Sequence, residues 1–272
     1  MERFDRIGVD IVNHCVNDVL TSGAAPLFFL DYIGSSELGD ATKLELIAGM
    51  TDACRVAGCV LIGGETADMP GIYSAGDFDL VGVLVGACER DRVVGREKVA
   101  AGDVLIGLPS NGLHTNGYSL VRRAFEIGLD GNPASDRRVL ERSYEELGET
   151  LGEALLRPHR SYLGEVEPLL GDLNAIAHIT GGGIEGNLAR VVPDGLTGVV
   201  RIGAWKVPPL FDLIGRGSID DDEMYRVFNM GLGMILLVPA EKADRVLGHI
   251  EDAVVVGEIR KGETKTLLEV AR

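Results

Sequence analysis

The segment from Gly63 to Gly71 combines residue types that bind phosphate and metal ions. It reads Gly-Gly-Glu-Thr-Ala-Asp-Met-Pro-Gly and follows a short apolar, β-branched run. The paired glycines Gly63 and Gly64 allow the backbone to approach an anion closely, and Glu65 or Asp68 could hold a divalent cation beside it. We therefore predict a ligand-binding loop at the end of a buried strand. An ordinary turn with solvated acids is the alternative interpretation, because Gly-Gly-acid turns are common.

Valine and leucine recur at helical spacing between residues 9 and 20, which predicts an amphipathic helix. Asn17 and Asp18 are expected off the apolar stripe of that helix or at its margin. Asp18 is a candidate magnesium ligand, since Mg²⁺ takes one or two carboxylates together with substrate phosphate oxygens. A solvated helix acid is the competing interpretation of the same residue.

Two further segments place polar residues and glycines before predicted helices. In the first, residues 110–117 form a polar, Gly-punctuated loop that contains His114. Its place in a loop favours a chemical role over a packed core histidine, because imidazole near a helix start can bind phosphate or move protons. In the second, Thr180 and the glycines Gly181 to Gly183 come between a predicted strand and a predicted helix. Backbone N–H groups at such a helix start can hold an anion.

Composition indicates a soluble globular protein. The 272 residues are 46% hydrophobic, which is enough for one large core or two moderate ones, and the length favours two domains. No apolar run reaches the roughly 18 residues of a membrane span, and the N-terminus lacks the apolar core of a signal peptide. We expect the cysteines Cys15, Cys54, Cys59 and Cys88 to be reduced, buried thiols of a cytoplasmic protein.

The formal net charge of −16 argues against nucleic acid as a partner, because no segment supplies a basic binding face. An anionic substrate would have to be held locally, by glycine backbone, a metal ion and a few residues such as His114, Arg122 and Arg226. Each arginine could equally serve as a structural ion-pair partner.

Apolar runs and helical periodicities alternate along the chain as in an α/β protein. A charged connector at 89–102 suggests a domain boundary, so we predict an N-terminal domain at 1–92 and a C-terminal domain at 101–272. We predict a polar, solvated insertion at 130–150. The predicted helices are 7–22, 40–57, 117–128, part of 140–170, 183–191 and 240–249, and the predicted strands are 27–32, 59–63, 78–87, 103–108, 174–179, 197–202, 233–238 and 252–260.

Taken together, these motifs resemble the phosphoribosylformylglycinamidine cyclo-ligase family, also called aminoimidazole ribonucleotide synthetases. The resemblance runs from about Ile7 to Glu258. Phe28 to Tyr32 and Met224 to Asn229 favour this family over its ATP-using relatives. The segments that carry the resemblance are Cys15 to Asp18, Gly23 to Tyr32, Gly63 to Gly71, His114 to Arg122, His178 to Gly183 and Glu223 to Met234.

The resemblance implies an α/β (α+β) fold of two synthetase-like domains and a homodimer in which the N-terminal domains join their sheets into a barrel. It implies ATP-dependent closure of formylglycinamidine ribonucleotide to 5-aminoimidazole ribonucleotide, with Mg²⁺ as cofactor and no nucleic-acid or membrane partner. It also implies roles for single residues. The implied metal ligands are Asp18, Glu65 and Asp68. The implied catalytic residues are His114, Asp18 and Glu65. The implied ATP and phosphate contacts are Asn17, Gly63, Gly64, Asn116, Thr180, Gly181, Gly182 and Gly183.

One departure from the family pattern concerns the start of the chain. Family members begin with several dozen further residues that include a Gly-rich Asp-Gly-Val-Gly-Thr-Lys segment, and here Met1 leads almost at once into the helix of Asp18. We expect a start assigned too late, a fragment, or a chain that has lost activity. A non-catalytic dimerising homologue is therefore one alternative function. Another ATP-using member of the superfamily, such as a small-molecule kinase, is a second.

Overall fold

The structure is a computed structural model that describes residues 1–129, 131–216, 219–263 and 265–270. Its helices are α1 Phe4–Leu20, α2 Asp40–Val56, α3 Tyr118–Ala124, α4 Pro133–Leu140, α5 Leu151–Leu155, α6 Leu163–Val166, α7 Gly183–Val191, α8 Pro209–Gly215, α9 Asp221–Val227 and α10 Ala243–His249. Its strands are β1 Ala25–Ser35, β2 Val60–Asp68, β3 Phe78–Ala87, β4 Val104–Pro109, β5 Ser143–Tyr144, β6 Glu149–Thr150, β7 Ala175–His178, β8 Leu196–Ile202, β9 Leu232–Val238, β10 Val254–Lys261 and β11 Thr266–Val270.

The chain divides into two compact units. The N-terminal unit contains Glu2–Val93 and Pro158–Glu167, and the C-terminal unit contains Met1, Val94–Arg157 and the residues from Pro168 onward. The α/β fold predicted from the sequence is confirmed. The contiguous domains 1–92 and 101–272 stay a proposal, to which the structure adds that Pro158–Glu167 packs with the N-terminal unit.

A three-stranded sheet in the order β2-β1-β3 forms the N-terminal unit, with α1 and α2 packed on one face. The central strand β1 runs parallel to β2 and antiparallel to β3. Phe29 and Ile33 of β1 point to the helices and are fully buried. On β3, Gly82 and Gly86 face α1, where a Cβ would lie within 3 Å of Ile11 or Val19 side-chain atoms. These glycines let α1 lie close against the sheet.

Helices α1 and α2 cross at a pair of glycines. A Cβ on Gly8 would lie 2.2 Å from the Leu46 carbonyl oxygen, and a Cβ on Gly49 would lie 2.0 Å from that of Asp5. Any side chain at either position would force the two helices apart. The small residues therefore set the distance between the helices that cover this sheet.

Valines cover the opposite, open face of the same sheet. The strand register places Val81, Val83 and Val85 of β3 on the face away from the helices, in rows with Tyr32, Leu30 and Phe28 of β1. Val83 is 53% exposed. We call this surface, which Val60 of β2 extends, the open face.

A six-stranded sheet in the order β11-β8-β10-β4-β9-β7 forms the centre of the C-terminal unit. All seven residues of β9 are buried, so both faces of the sheet are covered along this strand. One core cluster joins this sheet to α7 through Ile184 and Leu188. A second cluster joins α3, α5, α8 and α9 around Phe211 and Phe228, whose rings meet edge to face.

The sequence patterns located most elements and missed several. Helices α1, α2 and α7 and strands β3, β4 and β7 begin and end within a few residues of their predicted positions. Helices α4, α8 and α9 and strands β5, β6 and β11 were not predicted. In the 130–150 region, the described residues include helix α4 and the β5–β6 hairpin. No helix within the described ranges is both long enough and apolar enough to cross a bilayer.

Candidate functional site

The glycine loop before α7 has the geometry of an anion site. Thr180 follows β7, and Gly182 takes the left-handed conformation as the cap of α7, with φ of 97°. Gly181 and Gly182 are exposed, so the first turn of α7 is open to a ligand. Gly183 packs so closely that a Cβ would lie 2.0 Å from the Tyr225 carbonyl oxygen. The glycines are therefore required both for the turn and for its packing.

A buried asparagine that the sequence analysis did not single out holds this loop in shape. Asn187 is 3% exposed, and its amide nitrogen donates to the carbonyl oxygens of Thr180, Gly181 and Gly183. Its amide oxygen lies 3.2 Å from the Thr180 hydroxyl oxygen. Because the side chain satisfies these carbonyl groups, the loop is fixed before any ligand arrives.

Asn116 lies beside the glycine loop, as required for a shared phosphate site. Its amide oxygen is 3.2 Å from the position that a Cβ on Gly181 would occupy. Asn229 organises the loop that leads to Asn116, since its amide nitrogen donates to the carbonyl oxygens of Gly112 and Leu113 and its amide oxygen accepts from the Ser110 hydroxyl. The Asn229 side chain is buried.

His114 lies in a loop as predicted, but it is buried. Its exposure is 1%, and its φ of 59° places a non-glycine residue in the left-handed region. The ring nitrogen Nε2 lies 3.0 Å from Asn111 Oδ1, and the Tyr118 hydroxyl donates to the His114 carbonyl oxygen. An imidazole held this firmly can present only one orientation to a substrate.

The predicted loop from Gly63 to Gly71 is wrong in its first two thirds. Residues Gly63 to Asp68 belong to β2 and pair in register with Leu30 to Ser35 of β1. The paired glycines were interpreted as a turn, yet the neighbouring strand supplies partners that keep them extended. Gly64 is needed because a Cβ there would lie 2.3 Å from the Asp31 carboxylate.

The strand register separates two of the predicted metal ligands. Glu65 pairs with Tyr32, and both side chains lie on the open face. Asp68 pairs with Ser35. Because Asp68 is an odd number of residues further along β2, its side chain points to the opposite face, which the helices cover. Asp18, Glu65 and Asp68 do not form a group with ligand atoms close enough for one ion. The N-terminal unit thus does not assemble the three carboxylates at one point.

Asp68 already has a cationic partner that the sequence analysis missed. Lys43 Nζ in α2 lies 3.4 Å from Asp68 Oδ1, and the Ser35 hydroxyl lies 3.5 Å from the same oxygen. The Lys43 side chain is 17% exposed and that of Asp68 is 64% exposed, so the pair lies at the surface. Arg226 also has a partner, because its guanidinium donates to the Glu223 carboxylate. This contact agrees with the alternative interpretation of Arg226 as a structural ion-pair residue.

Asn17 is fully buried, which its predicted place off the apolar stripe of α1 or at its margin did not suggest. Its amide nitrogen donates to the Arg160 carbonyl oxygen at 2.8 Å, and its amide oxygen accepts from the Tyr162 N–H at 3.0 Å. The side chain holds the 158–167 segment against α1, and a direct contact with ATP stays a prediction. Asp18 is exposed, with Oδ2 3.3 Å from His14 Nε2.

Burial changes the acidity of several groups in the N-terminal unit. Desolvation raises the pKa of the Asp31 carboxyl, which lies under the helices beside Gly64. Desolvation likewise raises the pKa of Cys15 to about 11 and that of Cys54 to about 12, where Cys59 adds to the effect. All four cysteines are free thiols. The expectation that all are buried holds for Cys54 and Cys59 and is wrong for Cys88, which is exposed, and for Cys15, which is half-buried.

The chain matches the two domain models of one protein class along almost its whole length. Residues 2–88 match the N-terminal domain of the AIR synthase related proteins, and residues 100–268 match their C-terminal domain. The fold also resembles that of a hydrogenase maturation protein, HypE, solved in complex with ATP. The TM-score is 0.67 at 22% identity, over 97% of this chain and 76% of that one. The fold is therefore that of an AIR synthase related protein.

Curated relatives define the family within this class. The chain is 46% identical over 276 residues to the phosphoribosylformylglycinamidine cyclo-ligase of Caldicellulosiruptor bescii. The matched region covers 99% of this chain and 79% of the relative. It is 48% identical to the enzyme of the same name from Symbiobacterium thermophilum, over 96% of this chain and 75% of the relative. The chain belongs to the phosphoribosylformylglycinamidine cyclo-ligase family, as the sequence motifs predicted.

Proposed function

We propose that this protein closes formylglycinamidine ribonucleotide to 5-aminoimidazole ribonucleotide in purine biosynthesis, with release of ADP and phosphate. The observation that carries the proposal is the 46% identity to a cyclo-ligase over 99% of the chain. ATP as co-substrate is supported by the exposed glycine loop at the start of α7 and by the structural likeness to a protein solved with ATP.

The proposed reaction needs the formyl amide oxygen to become a leaving group. ATP transfers its terminal phosphoryl group to that oxygen, the amidine nitrogen attacks the activated carbon, and the oxygen departs as part of inorganic phosphate. Such chemistry depends mainly on positioning and on neutralising charge. Backbone N–H groups at the first turn of α7 and the neighbouring Asn116 amide are suited to both tasks.

His114 is the side chain that we propose to act on the reacting groups. Its fixed ring can donate a proton to the departing phosphate oxygens or accept one from the amidine nitrogen. We propose that Mg²⁺ accompanies ATP, with Asp18 as the exposed carboxylate suited to it. The carboxylates of Glu65 and Asp68 lie on opposite faces of the sheet, so we derive no step through an ion shared by all three.

We further propose that the protein is a cytoplasmic homodimer joined through the open face. The strongest support is the exposed row Val81, Val83 and Val85, because a contiguous apolar face on a sheet marks a protein interaction site. The open face of a second copy of this protein is a suitable partner surface, since its valines and Tyr32 are apolar in the same way. Glu65 would lie at the edge of that interface.

Steady-state turnover with formylglycinamidine ribonucleotide and ATP tests the function. We expect the full chain to release ADP and form the imidazole product in equal amounts. His114→Gln should lower turnover by about 10²-fold or more, since a positioned acid–base group contributes roughly 10²- to 10⁴-fold. Asp18→Asn should also lower turnover, because it removes the carboxylate that we propose for Mg²⁺. His249→Gln, at the exposed end of α10, should have no effect.

Circular dichroism of each variant separates loss of function from loss of fold. Near-normal turnover in folded His114→Gln would remove His114 from the mechanism. ADP release with a phosphorylated product and no ring closure would identify a small-molecule kinase instead. Absence of ATP binding would identify a non-catalytic homologue.

A further inference from the structure

Two histidines that the proposed mechanism does not use face each other in the N-terminal unit. His14 lies on α1, and His159 lies in the 158–167 segment. Their ring centroids are 5.4 Å apart with an interplanar angle of 79°, and a ring nitrogen of each lies within 4.8 Å of one from the other. His159 is 1% exposed, whereas His14 is partly open to solvent.

Side chains of helix α1 hold the backbone of His159 in this position. The His159 N–H donates to Asp10 Oδ1 at 2.6 Å, and its carbonyl oxygen accepts from Asn13 Nδ2 at 2.7 Å. Asn17 holds the next residues in the same way. These three side chains recur at i, i+3 and i+7, so they form one polar stripe that clamps the segment. The imidazole pair is preorganised by contacts that need no ligand.

The surroundings of His14 suit a metal ligand. Asp18 Oδ2 lies 3.3 Å from His14 Nε2, and a carboxylate at that distance orients an imidazole and raises the basicity of its other nitrogen. The pair lies at the partly exposed side of α1, where water can complete a coordination shell. Neutral imidazole nitrogens suit Zn²⁺, Ni²⁺ and Co²⁺, whereas Mg²⁺ prefers oxygen ligands.

We propose that His14 and His159 form a binding site for a borderline transition-metal dication of the Zn²⁺, Ni²⁺ and Co²⁺ class. Asp18 orients His14 in this site, and water fills the remaining positions. Its ligand atoms are imidazole nitrogens, whereas the carboxylate of Asp18, which orients His14 here, is the group that we propose for the Mg²⁺ accompanying ATP. Metal binding at this point would fasten the 158–167 segment to α1.

Calorimetric titration of the untagged full chain with Zn²⁺ tests the site, with no substrate present. We expect saturable binding of a single ion that persists in millimolar Mg²⁺. His14→Gln and His159→Gln should each weaken binding by at least about tenfold, and Asp18→Asn by about tenfold. His249→Gln is the matched control and should bind as the unchanged protein does.

The proposal is overturned if folded His14→Gln binds Zn²⁺ as tightly as the unchanged protein, or if no saturable binding occurs. His14 is partly exposed, so this variant remains informative even where substitution of the buried His159 disturbs folding. Absorption of bound Co²⁺ gives an independent measurement, since its visible bands report nitrogen ligation. Neither measurement depends on catalytic activity.

Discussion

Asp10 illustrates how a residue outside the proposed active site can control stability. Its carboxylate accepts the His159 N–H in a largely buried position on α1. Desolvation raises its pKa from 3.8 to about 6, and the hydrogen bond from His159 only partly offsets this. The native state therefore prefers protonated Asp10, and the stability associated with that proton decreases as the pH rises from about 4 to about 6.

Asp10→Asn should stabilise the protein at neutral pH. Asparagine keeps an oxygen that can accept the His159 N–H and removes the buried charge. A pKa raised by about two units corresponds to at most about 3 kcal/mol, so we expect a gain of up to that size near pH 7.5. Near pH 4 the gain should disappear, because Asp10 is then protonated. Urea unfolding at both pH values measures the difference.

Asp244→Asn is the control for this comparison, since Asp244 is an exposed acid on α10. It should change the free energy of unfolding little at either pH. A gain for Asp10→Asn that is equal at the two pH values would contradict the assignment of the cost to the buried charge.

Single residues differ in how far the sequence could reveal their roles. His114 and the 180–183 segment were found because their sequence signals are local. His114 lies in a polar loop, and the 180–183 segment lies at the start of a helix. The burial of Asn17 was not predicted because it depends on backbone groups of residues 160 and 162, far along the chain. Lys43 was missed for the same reason, since its partner Asp68 lies on another element.

At the scale of elements, β2 shows why a glycine signal can mislead. Gly63 and Gly64 favour a turn by intrinsic preference, but the parallel pairing with β1 keeps the chain extended to Asp68. The paired strand decides the outcome, and a single sequence does not identify that partner. Amphipathic helices such as α1 and α2 were predictable because their period requires only local information.

The glycine crossing of α1 and α2 gives a prediction at this scale. Gly49→Ala places a Cβ 2.0 Å from the Asp5 carbonyl oxygen, so the helices must separate. Overpacking of this kind costs about 1–3 kcal/mol, and we expect a loss of at least that size in the free energy of unfolding. Thermal unfolding followed by circular dichroism measures the change.

Gly248→Ala is the matched control, because a Cβ at that position of α10 meets nothing within 4 Å. This variant should gain about 0.5–1 kcal/mol from helix propensity. If Gly49→Ala proves as stable as the unchanged protein, the two helices are not in the close contact described.

At the scale of the whole molecule, the open face predicts association. Val83→Glu places a charge in the centre of the proposed dimer interface, where burial without a partner is costly. We expect the unchanged protein to have twice the 29.0 kDa mass of one chain and the variant to have a mass near 29.0 kDa. Size-exclusion chromatography with light scattering measures both. Leu267→Glu is a surface control in the C-terminal unit.

A dimeric Val83→Glu protein, or an unchanged protein that is monomeric at micromolar concentration, would contradict joining through the open face. The second result would also leave Glu65 away from any interface.

The assignment of Pro158–Glu167 to the N-terminal unit has a consequence for how the protein is made. A ribosome delivers residues 2–93 first, but Tyr162, Leu163 and Val166, which are buried in the finished unit, follow later. At roughly 5–20 residues per second the delay lasts several seconds. During that time Asp10, Asn13 and Asn17 remain hydrated on α1, so the N-terminal unit completes its folding only after part of the C-terminal unit has been synthesised.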